Sequence, residues 1–293
     1  MIQNEFIGLL ESDYVMVKHP ITKKEVKLYR IIALRSFRVN IGQLSVTDQS
    51  VVDLYNNHIK NQIAEKESII KHVESEIGEA ELNNASDLFI KTLKNKLGTV
   101  KYDLNTLNRK AESHRFIDDL TFDVSIHDIG GYVEDLSWFD EDNPSWIGKF
   151  ATIFNGAVIQ DSIITEKAVV VGSPTIRKSH IAGSSTIKGV PTIQNSMILN
   201  AAEVSDYAVV KYSNLKDFTM VFENAEVRES ILEDGAYARK NSKVSSSVLL
   251  NTAHCEEGST VERSILYNST VMYNETAIGL SLGTNVNLKE RIE

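Results

Sequence analysis

The decapeptide VERSILYNST, residues 261–270, decides the fold because its rhythm recurs. IQDSII (159–164), IQNSMI (193–198), VRESIL (227–232) and VSSSVL (244–249) all set a serine between branched apolar residues. The serines are Ser145, Ser162, Ser179, Ser196, Ser213, Ser230, Ser247, Ser264 and Ser281, each 17 residues after the last. Nine occurrences at one period, with no insertion or deletion, mark an internal repeat.

Segments stacked from Ile159, Ile176, Ile193, Val210, Val227, Val244 and Val261 give columns. Position 1 is always Ile or Val. Position 6 runs Ile164, Ile181, Ile198, Leu215, Leu232, Leu249 and Leu266, and position 12 runs Val170, Ile187, Val204, Val221, Ala238, Cys255 and Met272. Two residues before each apolar site stands a small one: the serine at position 4, Ala/Ser/Thr at 10, and Pro/Ala/Ser/Thr at 16. Each coil thus divides into three faces with one inward aliphatic side chain apiece. The expected fold is mainly β, a triangular parallel β-solenoid of 17-residue coils in which each coil covers its neighbour's apolar edge. At strand spacing, nine coils make a prism roughly 40 Å long. Residues 142–158 fit as the first coil. Gly283 breaks the pattern after Ser281, and 283–293 reads as a polar cap.

Composition excludes several classes. With 42% apolar and 24% charged residues the chain is globular in type. No run approaches the roughly 18 apolar residues of a membrane span, and MIQNEFIGLLESDYVM lacks the basic region of a secretory signal. A net charge of −9 argues against nucleic acid as a partner. The single cysteine allows no internal disulfide and suits a cytoplasmic setting.

Upstream, YVMVKHPITKKEVKLYRI (14–31) reads as strand, turn and strand. Apolar residues at spacings of three and four from Val52 to Ala80 and from Phe89 to Ala111 predict two helices. Between them LNNAS (82–86) offers a turn, with Asn84 or Ser86 as a cap. The organisation is an N-terminal β cap (1–46 with 117–141) interrupted by an antiparallel helical coiled-coil hairpin (47–116), then the solenoid (142–282) and the tail (283–293).

The rhythm [IV]-x-x-S-x-[IL]-x-x-x-[AST]-x-[IV] resembles the hexapeptide-repeat family of acyltransferases and sugar-nucleotide transferases. That resemblance implies a left-handed β-helix and a homo-oligomer, usually a trimer. KLYRIIALRSFRV (27–39) with IGGYVEDLSWF (129–139) resembles the leader of transferase-like hexapeptide-repeat proteins of bacteria and phages, here split by a long insertion. Such a leader would cap the first coil.

The candidate sites follow. The serines are expected to satisfy backbone groups at corners rather than to act as nucleophiles. Histidine is the general base that the resemblance implies, and the coils hold only His180, at position 5, and His254, at position 11. They fall on different faces, and the unbroken period leaves no room for the loop such enzymes extrude. His58, His72, His114 and His127 lack companions at metal-ligand spacing, and Cys255 sits in a core column, so no metal and no cofactor are expected. IGG (129–131) lacks the context of a phosphate loop and reads as a tight turn. Position 5 carries Trp146, Ile163, His180, Met197, Ile231, Val248, Ile265 and Leu282, with Asn214 between. Facing outward it is an apolar interface stripe, for a second copy or for the hairpin; turned inward at a corner it is core. Both readings stand.

These features lead to the expectation of a non-catalytic, oligomeric scaffold that binds a protein partner. The phage members of the resembling group imply a factor acting on a host protein. One alternative is a hexapeptide-type acyl- or sugar-nucleotide transferase with an inter-subunit site. Another is a bactofilin-like polymer, disfavoured by the leader and the charged end NLKERIE (287–293).

Overall fold

A computed structural model of the chain describes residues 5–42, 44, 46–113, 120–154, 156–271 and 274–283. The chain divides into two compact units, 52–115 and the rest.

The larger unit is the solenoid with its N-terminal cap. Each coil supplies three short strands, which stack in parallel on their counterparts one coil away. Face one holds positions 5 and 6, face two positions 11 to 14, and face three positions 17, 1 and 2. Residues at positions 1, 6 and 12 are almost completely buried and form one continuous core. Corners are made by left-handed backbone. Position 3 has φ between 45° and 49° in seven successive coils, at Asp161, Lys178, Asn195, Tyr212, Glu229, Ser246 and Arg263. None is glycine, so each corner carries the steric cost of an L-residue in that region. Position 8 is left-handed as well, from Glu166 through Gly183, Asn200, Asp217, Asp234 and Asn251 to Asn268.

The serine follows the position 3 corner, and its role explains the repeat. From Ser162 to Ser264 each hydroxyl donates to the carbonyl two residues earlier, at 2.6–2.8 Å. From Ser145 to Ser247 each hydroxyl oxygen accepts the backbone N–H of the next coil's serine, at 3.0–3.3 Å. These N–H groups are fully buried, and the side-chain oxygen stands where the parallel ladder would otherwise supply a carbonyl. A small hydroxyl residue is therefore required once per coil. Replacing Ser230 by alanine strands the Ser247 N–H and is expected to cost about 2 kcal/mol, measured as a lower denaturation midpoint. Ser281→Ala is expected to leave that midpoint unchanged.

Ser281 differs because the last coil has only 16 residues. Cys255 pairs with Val271, Val261 with Ala277 and Leu266 with Leu282. The corner Asn251-Thr252-Ala253 becomes Asn268-Ser269, with Thr252 bonded through N and Oγ1 to Asn268 Oδ1. Leu280 therefore takes the serine's place, its N–H on Ser264 Oγ at 3.0 Å, and Ser281 is exposed. The ninth serine kept the spacing by coincidence. Leu282 is a position 6 core residue, not a position 5 residue, and Val271 fills position 12 in place of Met272, which lies outside the described residues. Residues 284–293, read as a polar cap, also lie outside them.

The cap extends face two. Strands β1 (Ile7–Lys18) and β2 (Glu25–Ala33) form the expected hairpin. β3 (Phe37–Gly42) follows, then helices α1 (Gln49–Leu82) and α2 (Asp87–Ser113), then β4 (Leu120–Val124) and β5 (Ile129–Val133). β2 pairs antiparallel with β5, and β5 pairs in parallel with Thr152–Ile153 of the first coil, giving an 11-stranded sheet with β1 at its edge. Gly130 and Gly131 lie inside β5, not in a turn, because the cap approaches the first coil too closely for side chains. A Cβ on Gly131 would stand 2.4 Å from the Ala151 carbonyl oxygen. β3 and β4 pair with each other in a separate two-stranded sheet.

The smaller unit is a helical hairpin. Val73, Ile77, Ala80 and Leu93 form its apolar seam, and Lys66–Asp103, Lys101–Glu74 and Lys94–Glu81 bridge the antiparallel arms. Both suggested caps are used: Asn84 has φ 52° just past α1, and Ser86 Oγ accepts the Phe89 N–H at the start of α2.

Candidate functional site

The two coil histidines are held apart. His180 lies on face one between Ile163 and Met197, with its Nε2 3.4 Å from Thr165 Oγ1. Burial holds its pKa below the usual imidazole value, with Glu166 opposing weakly. His254 lies on face two, four coils further along. The structure does not bring them together, and each must be judged by its own neighbours.

His254 has the richer surroundings. Its ring stacks on Tyr237 in the preceding coil at 3.7 Å between centroids and 25° between planes. The Tyr237 hydroxyl donates to Glu256 Oε1, and Arg239 Nη2 donates to Glu256 Oε2 at 2.9 Å. The Arg239 guanidinium also lies over the Tyr237 ring. Partial burial and Glu256 push the phenol up to about 12, so it stays a proton donor. Burial lowers the His254 pKa from the ordinary imidazole value, with Glu256 opposing. Burial raises the Glu256 carboxyl, but the bonds from Tyr237 and Arg239 outweigh it and hold the group ionised. The result is a half-exposed patch with one neutral base, one phenol donor and one neutralised carboxylate. The pattern was present in the columns, since 17-residue spacing puts Tyr237 under His254 and Arg239 under Glu256. Sorting histidines alone passes over it.

Cys255, next to His254, points the other way. It is fully buried, its thiol pushed up to about 11 by burial, and it packs against Ser259. It is core, not a nucleophile. Among the described residues, no group of three or more His, Cys, Asp or Glu is placed to hold a metal.

The position 5 column is buried within the single chain. Trp146, Ile163, Met197, Ile231, Val248 and Ile265 are each at most 6% exposed, and His180 is half-buried. Position 6 points into the prism, so position 5 points out of it, and non-repeat residues of the larger unit lie against part of the column. At one end Phe37 of β3 packs edge-on against Trp146, and Val39, Ile41 and Val124 of the β3–β4 pair join the same apolar cluster. Further along runs the segment after β3. Leu44 enters that cluster, and Thr47 bonds through N and Oγ1 to Glu229 at 2.8 Å. Asp48, held below the usual carboxylate range by the Ser50 hydroxyl, is bonded to Ser246 as well. Glu229 and Ser246 are position 3 residues beside the column. Nearby, Lys216 and the buried Glu233 lie 3.9 Å apart.

Residues 216–288 match the family described as GlmU-like, C-terminal hexapeptide. The solenoid is a hexapeptide-repeat β-helix. A comparison with curated proteins found no match for the chain. The matched hexapeptide coils include Tyr237, Arg239, His254 and Glu256, and exclude His180. No described helix is long and apolar enough to cross a membrane.

Proposed function

We propose that this chain is a non-catalytic scaffold, in which the hexapeptide solenoid is a rigid body and the inserted hairpin engages a protein partner. The observation that carries this reading is the use of the repeated polar groups. Every described repeat serine from Ser145 to Ser247 binds the backbone of the next coil, Ser264 binds the N–H of Leu280, and Cys255 is core, so none is offered to a substrate. The partner role rests on the closed end of the hairpin, where Leu82, Leu88 and Phe89 are 82%, 75% and 52% exposed. The resemblance adds a trimeric assembly and a phage-type factor acting on a host protein, and the single cysteine suits a cytoplasmic setting.

A second reading has one observation in its favour: His254 is a neutral imidazole beside an ionised carboxylate and a phenol, the groups an acyl transfer would need. Titration calorimetry of the full chain separates the two. Acetyl-coenzyme A and a uridine diphosphate sugar are expected to give no saturable heat. Saturable binding that His254→Ala abolishes would replace the scaffold with a transferase.

A further inference from the structure

Capping the first coil moves an open sheet edge instead of removing it. β1 is the terminal strand of the 11-stranded sheet, and among the described residues nothing pairs with its outer side. The ladder tells which backbone groups are free. At the hairpin's turn the His19 N–H donates to the Lys24 carbonyl at 2.8 Å, so by alternation Val17 and Val15 bond to β2, and Tyr14, Met16 and Lys18 aim their N–H and C=O groups outward. These three residues are exposed, whereas Val15 and Val17 pack with Leu28, Phe154 and Val171. Natural proteins blunt such edges. Here an irregularity between Leu10 and Tyr14 interrupts pairing, with Asp13 turned to Arg30 at 2.7 Å. The flat, usable edge is therefore residues 14–18.

That edge is complementary to itself. Turned antiparallel about Met16, it sets Met16 against Met16 and Tyr14 against Lys18, in the register that uses all the free backbone groups. On the outer surface Lys18 already faces Glu25, and Lys27 already sits 3.8 Å over the Tyr14 ring. A second copy would lay its Lys18 against the other side of Tyr14 and extend the row of alternating aromatic, cation and acid.

We propose that β1 joins two copies of this chain about a two-fold axis at Met16, making one continuous sheet across the pair. The contact is separate from the side-by-side packing of a trimer, and it does not depend on the scaffold reading. In a hydrogen-bonded antiparallel pair the facing Cα atoms lie about 5.5 Å apart, within the range a disulfide spans. The chain's own cysteine is buried, so the background is low. Met16→Cys under mild oxidation is expected to give a covalent dimer on a non-reducing denaturing gel. A mixture of Tyr14→Cys and Lys18→Cys chains is expected to crosslink where neither does alone, and Glu11→Cys is expected to give none. In sedimentation, Met16→Lys is expected to halve the particle mass without changing the circular dichroism. A wild-type chain that stays monomeric at high concentration overturns the proposal. So does a mass that Met16→Lys leaves unchanged, or equal crosslinking by Glu11→Cys and Met16→Cys.

Discussion

Gly131→Ala is expected to destabilise the larger unit by about 3 kcal/mol or more, seen as a large fall in its denaturation midpoint. The added Cβ would meet two backbone oxygens, Ala151 O at 2.4 Å and Gly148 O at 2.6 Å. Neither can move without dislodging β5 from the first coil, where Tyr132 N donates to that same Ala151 oxygen at 3.0 Å. The effect should concentrate in the cap. Gly78 and Gly98 provide the contrast, since each lies in a helix with nothing within 4 Å of an added Cβ. Alanine there is expected to stabilise the hairpin by about 1 kcal/mol per site. If Gly131→Ala is as neutral as Gly78→Ala, the close approach of cap and coil is wrong.

Leu232→Ala is expected to be comparably damaging, by about 3–4 kcal/mol. Leu232 is fully buried in the middle of the position 6 ladder, between Leu215 and Leu249. Removing its side chain leaves a cavity touching both neighbouring coils. In a solenoid each coil is stabilised mainly through its two interfaces, so the break weakens coupling between the coils before and after it. Chemical denaturation should therefore broaden or separate into two transitions. Leu282→Ala is the comparison: its ladder partner is Leu266, one coil earlier, and its loss should lower stability less and leave the transition's shape intact. Equal effects at the two positions would mean that the coils do not act as neighbouring units.

Much of this fold is legible because its local rules repeat. A residue type needed at a fixed point of every coil, such as the serine or the position 6 aliphatic, leaves a column that survives any uncertainty about a single coil. What escapes the columns is long-range. The one-residue shortening at Asn268–Ser269 is hidden because Ser281 still falls 17 after Ser264, and the strand pairings, such as Leu266 with Leu282, expose it. Gly130 and Gly131 resemble turn glycines in sequence, whereas their need arises from Ile31, Ile147 and Ala151, which are brought to them by folding. β3 and β4 are partners across the whole helical insertion, so no local spacing connects them. The direction of position 5 follows from strand alternation, but its neighbours outside the prism, such as Phe37 against Trp146 and the segment bonded to Glu229 beside the column, do not belong to the repeat. For the site, the chemistry around His254 was written in positions 11 and 13 and required reading adjacent coils together.

The central claim is that the repeated serine is a backbone device, so that its recurrence carries architecture and no chemistry. Amide hydrogen exchange on Ser230→Ala tests it most directly. In the wild type the Ser247 N–H is held by Ser230 Oγ at 3.2 Å and should be strongly protected. In the variant that amide is expected to lose protection selectively, while Val248, bonded to the Ser264 carbonyl at 2.9 Å, keeps it. Unchanged protection at Ser247 would contradict the claim.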